Sequence, residues 1–239
     1  MPNIAIVFAG GTGKRMNTRS KPKQFLELHS KPILVYTLEE FNNHPEIDGI
    51  ILVILKEWIP YCEELVERFR LHKVRAIVAG GETALQSQKN GLIKAEELFS
   101  EDAIVLIHDG VRPLIDEETI SKNIASVKEH GTAITVTPAI ETITVKTESG
   151  EVGQIIERSK VELARAPQSF YLKDILAAHK KAENDGISFI DSASMMQHFG
   201  HVLFTVEGLP ENIKITTPND FYTFRALVDA RENSQIFGI

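Results

Sequence analysis

Ile4-Ala5-Ile6-Val7-Phe8-Ala9-Gly10-Gly11-Thr12-Gly13-Lys14-Arg15-Met16 is the stretch on which the fold turns. The run Ile4 to Phe8 suits a strand buried on both faces. Glycines directly after it let the chain turn tightly enough for backbone N–H groups to converge on an anion. The expectation is a phosphate-binding loop at the carboxyl end of a first strand. Two familiar versions of such a loop fail on residues. Counted from Gly11, the dinucleotide fingerprint needs glycine where Met16 stands, and a Walker A loop needs Ser or Thr after Gly13-Lys14, where Arg15 stands. The bland alternative is a mere glycine turn.

Three further apolar runs have the character of the first: Gly49 to Leu55, Arg75 to Ala79 and Ala103 to His108. Helical stretches separate them, one opened by Pro32 and running through Leu38 and Phe41, one over Trp58 to Phe69 and one over Thr83 to Phe99. Strands alternating with helices of that length predict an α/β fold with a mostly parallel sheet covered on both sides. From Thr132 the pattern changes. Ala133 to Thr137 reads as a strand, whereas Ile140 to Arg165 alternates Ile143, Val145, Val152 and Ile155 with polar residues around Glu148-Ser149-Gly150-Glu151. That alternation predicts a β-arm over about residues 140–166 with a one-sided apolar face, a candidate dimer contact. Helices are expected over Lys173 to Asn184, near Ser192 to Phe199 and from Asn219 to about Arg231, with a strand over His201 to Val206.

The 239 residues fit one large domain better than two. With 43% apolar and 25% charged residues, the chain has the balance of a globular protein that buries a sizeable core. Its 33 acids and 26 bases give a net charge of −7, spread over the whole length, which argues against a nucleic-acid or membrane-surface role. No window approaches a membrane span, and Met1-Pro2-Asn3 leads straight into a strand with no basic n-region, so a cytoplasmic protein is expected. The lone Cys62 forbids an internal disulfide and reads as a packed thiol.

Against that acidic background, Arg15, Lys21 and Lys23 crowd next to the glycine loop, where an anion explains them better than chance, and Pro22 stiffens the approach of Lys23. Solvated surface accounts for Arg19. His108-Asp109-Gly110-Val111-Arg112-Pro113 ends the fourth run, where open α/β sheets place ligands. Asp109 suits a metal or a hydroxyl and Arg112 a phosphate, unless the two merely pair with each other. Gly80-Gly81 and Ser87 offer a backbone edge and a hydroxyl for reading a base, while His198 and His201 lack the companions of a metal site and read as a surface pair.

Ala9 to Met16, Pro22-Lys23-Gln24-Phe25, Gly80-Gly81 with Ser87, His108 to Pro113, Ala166-Pro167-Gln168-Ser169-Phe170 and Asn212-Ile213-Lys214-Ile215-Thr216 occur in one order over nearly the whole chain. The ordered set resembles the CTP-dependent cytidylyltransferases that act on 2-C-methyl-D-erythritol 4-phosphate or D-ribitol 5-phosphate. The resemblance implies a Rossmann-like nucleotidyltransferase sheet, a homodimer joined through the β-arm, and magnesium-dependent transfer of CMP with release of pyrophosphate. It assigns Arg15 and Lys23 to the α-phosphate. Ala9, Gly10, Gly11, Thr12 and Gly13 would cradle the triphosphate, and Gly81 and Ser87 would face cytosine and the ribose. Arg158, on the arm and serving the partner's site, and Lys214 would position the acceptor phosphate. Asp109, Arg112 and Thr142 would face acceptor hydroxyls or the metal, with Asp109 as the candidate metal ligand.

Departures from the family pattern fall on Ala84, Glu141, Ala166 and Ile190. The last three positions belong to the acceptor side. A methyl and a sec-butyl group at Ala166 and Ile190 would remove two hydroxyls there, which puts ribitol 5-phosphate or a relative ahead of methylerythritol phosphate, the acceptor of isoprenoid biosynthesis. Two other classes compete: a nicotinamide-dependent dehydrogenase, disfavoured at Met16, and a nucleotide-binding regulator without catalysis.

Overall fold

Three of the apolar runs form strands buried on both faces, and the fourth, Arg75 to Ala79, forms a half-buried strand at the sheet edge. In the computed structural model, which describes residues 1–10 and 21–237, the chain runs β1 (Asn3–Phe8), β2 (Glu27–Leu28), β3 (Lys31–Pro32), α1 (Ile33–Asn43), β4 (Gly49–Ile54), α2 (Ile59–Arg68), β5 (Val74–Ala79), α3 (Ala84–Leu98) and β6 (Ile104–Asp109). It continues through α4 (Glu117–His130), β7 (Thr132–Pro138), β8 (Ile143–Lys146), β9 (Val152–Ile156), β10 (Glu162–Tyr171), α5 (Leu172–Asp185), α6 (Ser192–His198), β11 (Thr205–Glu207) and α7 (Pro218–Phe237).

Seven strands make one sheet in the order β11-β7-β10-β6-β1-β4-β5. Strand β1 lies parallel to both β4 and β6, β5 is parallel to β4, β11 is parallel to β7, and β10 runs antiparallel to both its neighbours. Successive residues of β1 point to opposite faces: Ala5 and Val7 pack with α1, α2 and α4, while Ile4 and Ile6 pack with α3, α5 and α6. Each fully buried aliphatic side chain of this kind contributes about 1.5–3 kcal/mol. A third cluster joins Leu28, Ile33, Val111, Leu114 and Ile215 to Phe224 and Val228 of α7.

The chain goes from β1 to β4 and β5 on one side and then crosses to β6 on the other. Strand order therefore reverses between β1 and β6, where α/β sheets open a crevice at the carboxyl ends.

Two expectations need correction. The strand over His201 to Val206 shrinks to Thr205–Glu207, because the Thr132 hydroxyl donates to Val202 O and accepts from Phe204 N, occupying backbone groups that a ladder would use. The β-arm exists as β8 and β9, but it ends earlier than residue 166, since β10 pairs with β7 from Glu162. Its apolar face is not one-sided. Val145 stands opposite Gln154, Ile155 opposite Thr144 and Val152 opposite Lys146, and cross-strand partners share a face, so Val145 lies on one face and Ile155 and Val152 on the other. The register shift between Val145 and Lys146 puts Val152 there. The hairpin β2–β3, turned through His29 and Ser30 at positive φ, had no clear signal in the sequence.

Candidate active site

The crevice at the reversal point holds a cavity of about 350 Å³, lined among others by Ala9, Gly10, Lys23, Gly81, Ser87 and Asp109. Its two walls approach closely because residue 110 is glycine. A Cβ there would stand 2.8 Å from the Ala9 Cβ and 2.9 Å from the Leu34 Cδ1.

Lys23 opens a 3-10 turn (Lys23–Phe25) directly after Pro22. Its ammonium is nearly buried and donates to Ile215 O at 2.8 Å, while the neighbouring Gln24 Nε2 donates to Ala9 O at 2.7 Å. These bonds tie Ala9 and the Lys23–Phe25 turn to a segment almost two hundred residues later. Ser87 sits on the first turns of α3, whose start is capped by Thr83 accepting from Gln86 N. The Ser87 hydroxyl accepts from Gly81 N at 3.1 Å and donates to Thr83 O at 2.9 Å.

Asp109 ends β6 as the hub of the site. One carboxylate oxygen accepts from Arg112 Nε at 2.8 Å and the other pairs with Lys214 Nζ at 2.5 Å. Burial by itself would push this carboxyl up, yet the Arg112 and Lys214 charges hold it below its ordinary value. Arg112 also donates through Nη1 to Asn212 O at 2.9 Å, and Asn212 Nδ2 donates to Ala166 O at 2.7 Å. His108, buried beside the pair, is pushed down to about 4 by desolvation and stays neutral.

A second cavity, about 180 Å³, adjoins the first: Phe8, Ala84, Asp109 and Lys214 line both. Its other walls include Arg112, Arg165, Ala166, Gln168, Ile190 and Asp191. Gln168 Nε2 donates to Asp191 Oδ2 at 3.0 Å, and Gln168 Oε1 accepts from Ala193 N, so the start of α6 is anchored to β10. Four cations, Lys23, Lys214, Arg112 and Arg165, converge on two communicating cavities in an acidic protein. Such an arrangement suits a polyanion beside a smaller polar molecule.

A family model described as IspD, 2-C-methyl-D-erythritol 4-phosphate cytidylyltransferase, matches residues 3–230. The chain belongs to that family. It is a nucleotidyltransferase enzyme, a cytidylyltransferase. Over 240 residues it is 53% identical to a ribitol-5-phosphate cytidylyltransferase of Streptococcus agalactiae serotype V, covering 100% of both chains. It is 48% identical over 237 residues to one of Vibrio parahaemolyticus, covering 99% of this chain and 100% of that one. A 2-C-methyl-D-erythritol 4-phosphate cytidylyltransferase of Clostridium acetobutylicum is 39% identical over 227 residues, which is 95% of this chain and 97% of that one. Among solved structures, a 4-diphosphocytidyl-2C-methyl-D-erythritol synthase of Anaerococcus prevotii matches with a TM-score of 0.82 at 29% identity, covering 95% and 96% of the two chains.

In this cytidylyltransferase, Ala9, Gly10, Lys23, Gly81, Ser87, Asp109, Arg112 and Lys214 gather at the two cavities as the sequence led one to expect. Gly11, Thr12, Gly13 and Arg15 lie outside the described residues. Thr142 and Arg158 are exposed at the base of the arm and line neither cavity; Arg158 Nη1 donates to Ile140 O at 3.1 Å.

Asp109 suits a resident metal poorly, because both its oxygens are engaged by cations whose charge opposes that of a metal ion. The bland reading of an Asp109–Arg112 ion pair holds, with Lys214 as a third member. Among the described residues the metal-like group is His29, Asp229 and Glu232, none of which lines either cavity.

The smaller cavity holds two of the departures expected on the acceptor side, Ala166 and Ile190. Ala166 does present a methyl group and Ile190 an exposed side chain, but Arg165, Gln168 and Asp191 keep that cavity polar. Arg165 carried no sequence signal, since strict alternation would turn it away from Ala164 and Ala166. A register shift decides otherwise: Ala164 to Gln168 on β10 stands opposite only Val136 to Ile134 on β7, and the extra residues bring all three side chains to one cavity.

Proposed function

We propose that this cytidylyltransferase transfers CMP from CTP to ribitol 5-phosphate and releases pyrophosphate. The observation that carries the reading is 53% identity over the full chain to a ribitol-5-phosphate cytidylyltransferase, against 39% to a methylerythritol phosphate enzyme. An oxygen of the acceptor phosphate attacks the α-phosphorus, the new P–O bond forms, and the bond to the β-phosphate oxygen breaks as pyrophosphate leaves. The acceptor phosphate is already an anion, so no general base is needed. Charge builds on the phosphoryl oxygens, and fixed cations are what this chemistry asks of a protein.

Lys23 and Arg15 act on the α-phosphate, the glycine loop cradles the triphosphate, and Gly81 and Ser87 face the nucleoside. Lys214 and Arg158 hold the acceptor phosphate, while Asp109, Arg112 and Thr142 orient its hydroxyls. Magnesium enters with CTP as part of the substrate, held by triphosphate oxygens. Because Arg158 and Thr142 line neither cavity of their own chain, the working unit is a homodimer in which each arm supplies them to its partner. The protein acts in the cytoplasm, where CTP is made; no helix among the described residues is long and apolar enough to cross a membrane.

The test is pyrophosphate release from CTP and magnesium with a panel of acceptors. Ribitol 5-phosphate should give the highest kcat/KM. The name of the matching family model favours a second reading, in which methylerythritol phosphate is the acceptor, and a higher kcat/KM for that compound would establish it.

A further inference from the structure

Arg165 is the cation that the expected site residues do not explain. It is half-buried in the irregular part of β10 and lines the smaller cavity. Its Nε donates to the Thr137 hydroxyl at 3.3 Å, and among the described residues its Nη atoms have no hydrogen-bond acceptor and its charge no carboxylate partner. Desolvation lowers its proton affinity, and the charge of Arg112, of the same sign, lowers it further. Two guanidinium groups facing one cavity, with the carboxylate of Asp109 committed to Arg112 and Lys214, leave donors for a ligand rich in oxygen.

The position of that oxygen follows from the order of the two cavities. The acceptor phosphate must reach the α-phosphate of CTP, so it belongs where the cavities meet, at Asp109 and Lys214 and near Lys23. The carbon chain then extends into the smaller cavity towards Arg165, Gln168 and Asp191. We propose that Arg165 is a specificity-determining residue whose guanidinium donates to the hydroxyl at the end of the polyol farthest from the phosphate. The inference rests on the proposed function and names what reads the length of its acceptor. Ribitol 5-phosphate is one carbon longer than a tetritol phosphate and ends in a hydroxyl, which accepts from Arg165 and donates to a carboxylate such as Asp191. The terminal hydroxyl of a methyl-branched tetritol phosphate stops one carbon short of both partners.

The experiment compares ribitol 5-phosphate with 1-deoxyribitol 5-phosphate, which lacks only that hydroxyl, on the wild type and on R165M and R165Q. Wild-type kcat/KM should fall about 10- to 100-fold when the hydroxyl is removed, mainly through KM. R165M should lose about as much on ribitol 5-phosphate and little more on the deoxy compound, with KM for CTP unchanged. Such non-additivity is the mark of a direct contact. Equal falls on both acceptors in the two variants would overturn the inference. So would a wild type that uses both compounds alike, a result that needs no variant to fold. A wild type that turns over ribitol 5-phosphate without caring about the hydroxyl defeats the role of Arg165 and spares the proposed function; one that ignores ribitol 5-phosphate defeats both.

Discussion

Around Asp109, charge holds together a site that burial alone would not tolerate. Removing the carboxylate leaves Arg112 buried without its partner, so Asp109→Ala should cost about 3–5 kcal/mol of folding stability, read from urea unfolding. Lys23→Ala should act differently. Its proposed contact strengthens as negative charge builds in the transition state, so kcat should fall about 10²- to 10³-fold while CTP binding changes little. Steady-state kinetics beside a CTP titration would show it, and unchanged turnover would return Lys23 to a purely structural tie to Ile215. Two histidines set the response to acid. Desolvation pushes His108 and His179 each down to about 4, against an ordinary value of 6.5. The unfolded chain therefore binds protons at these positions that the folded chain refuses. Stability should be full above pH 6.5, decline from there to about pH 4 by roughly 2–3 kcal/mol per histidine, and fall further below that as Asp109 is protonated. Unfolding curves over pH 4–8 for the wild type and His179→Leu test this, the variant having the shallower decline.

The elements are placed by close contacts that propensity would not choose. Gly91 lies in the interior of α3, where alanine would favour the helix by about 1 kcal/mol. Packing opposes it. A Cβ at residue 91 would stand 2.7 Å from Ile6 Cγ2 of β1 and 2.7 Å from Val53 Cγ2 of β4, methyl groups of buried β-branched side chains with little freedom to turn away. Overpacking of this kind costs about 1–3 kcal/mol, so the clash outweighs the propensity and Gly91→Ala should lower Tm by roughly 2–4 °C. Calorimetry would decide, and a raised Tm would mean that α3 is free to shift on the sheet. The same helix carries Ser87 into the larger cavity, so any such shift would also reshape that cavity.

On the scale of the molecule, the arm is the part that one chain leaves unfinished. A two-stranded ribbon with Val145, Val152 and Ile155 exposed and divided between both faces is marginal in water without a cover. The proposed dimer supplies that cover and brings Arg158 to a cavity. Ile155→Asp should weaken the dimer, seen as a shift to the monomer in sedimentation, and activity should fall with it. Mixing two inactive variants gives a sharper test. If Arg158 serves the partner's site, a mixed dimer of Lys23→Ala and Arg158→Ala has one site carrying both changes and one carrying neither, and roughly a quarter of wild-type activity should return. No recovery would place both residues in the same chain's site.

The strands β1, β4, β5 and β6 and the helices between them were legible because continuous apolar runs and helical periodicity are local properties, set by what each residue can bury. The sequence also singled out glycine, lysine and aspartate next to strand ends, and the fold gathers Gly10, Lys23, Gly81 and Asp109 around one cavity. What neighbours in sequence could not settle depends on partners far along the chain. Lys23 meets Ile215, Arg112 meets Asn212, and Asn212 meets Ala166, and these bonds pin 212–216, a segment without regular structure, between β6 and β10. Register is decided the same way. One shift in β8–β9 divides the apolar residues of the arm between two faces, and another in β10 brings Arg165 to the smaller cavity. A side chain's face in a strand depends on counting residues against a partner strand, and that count is made only when the sheet assembles.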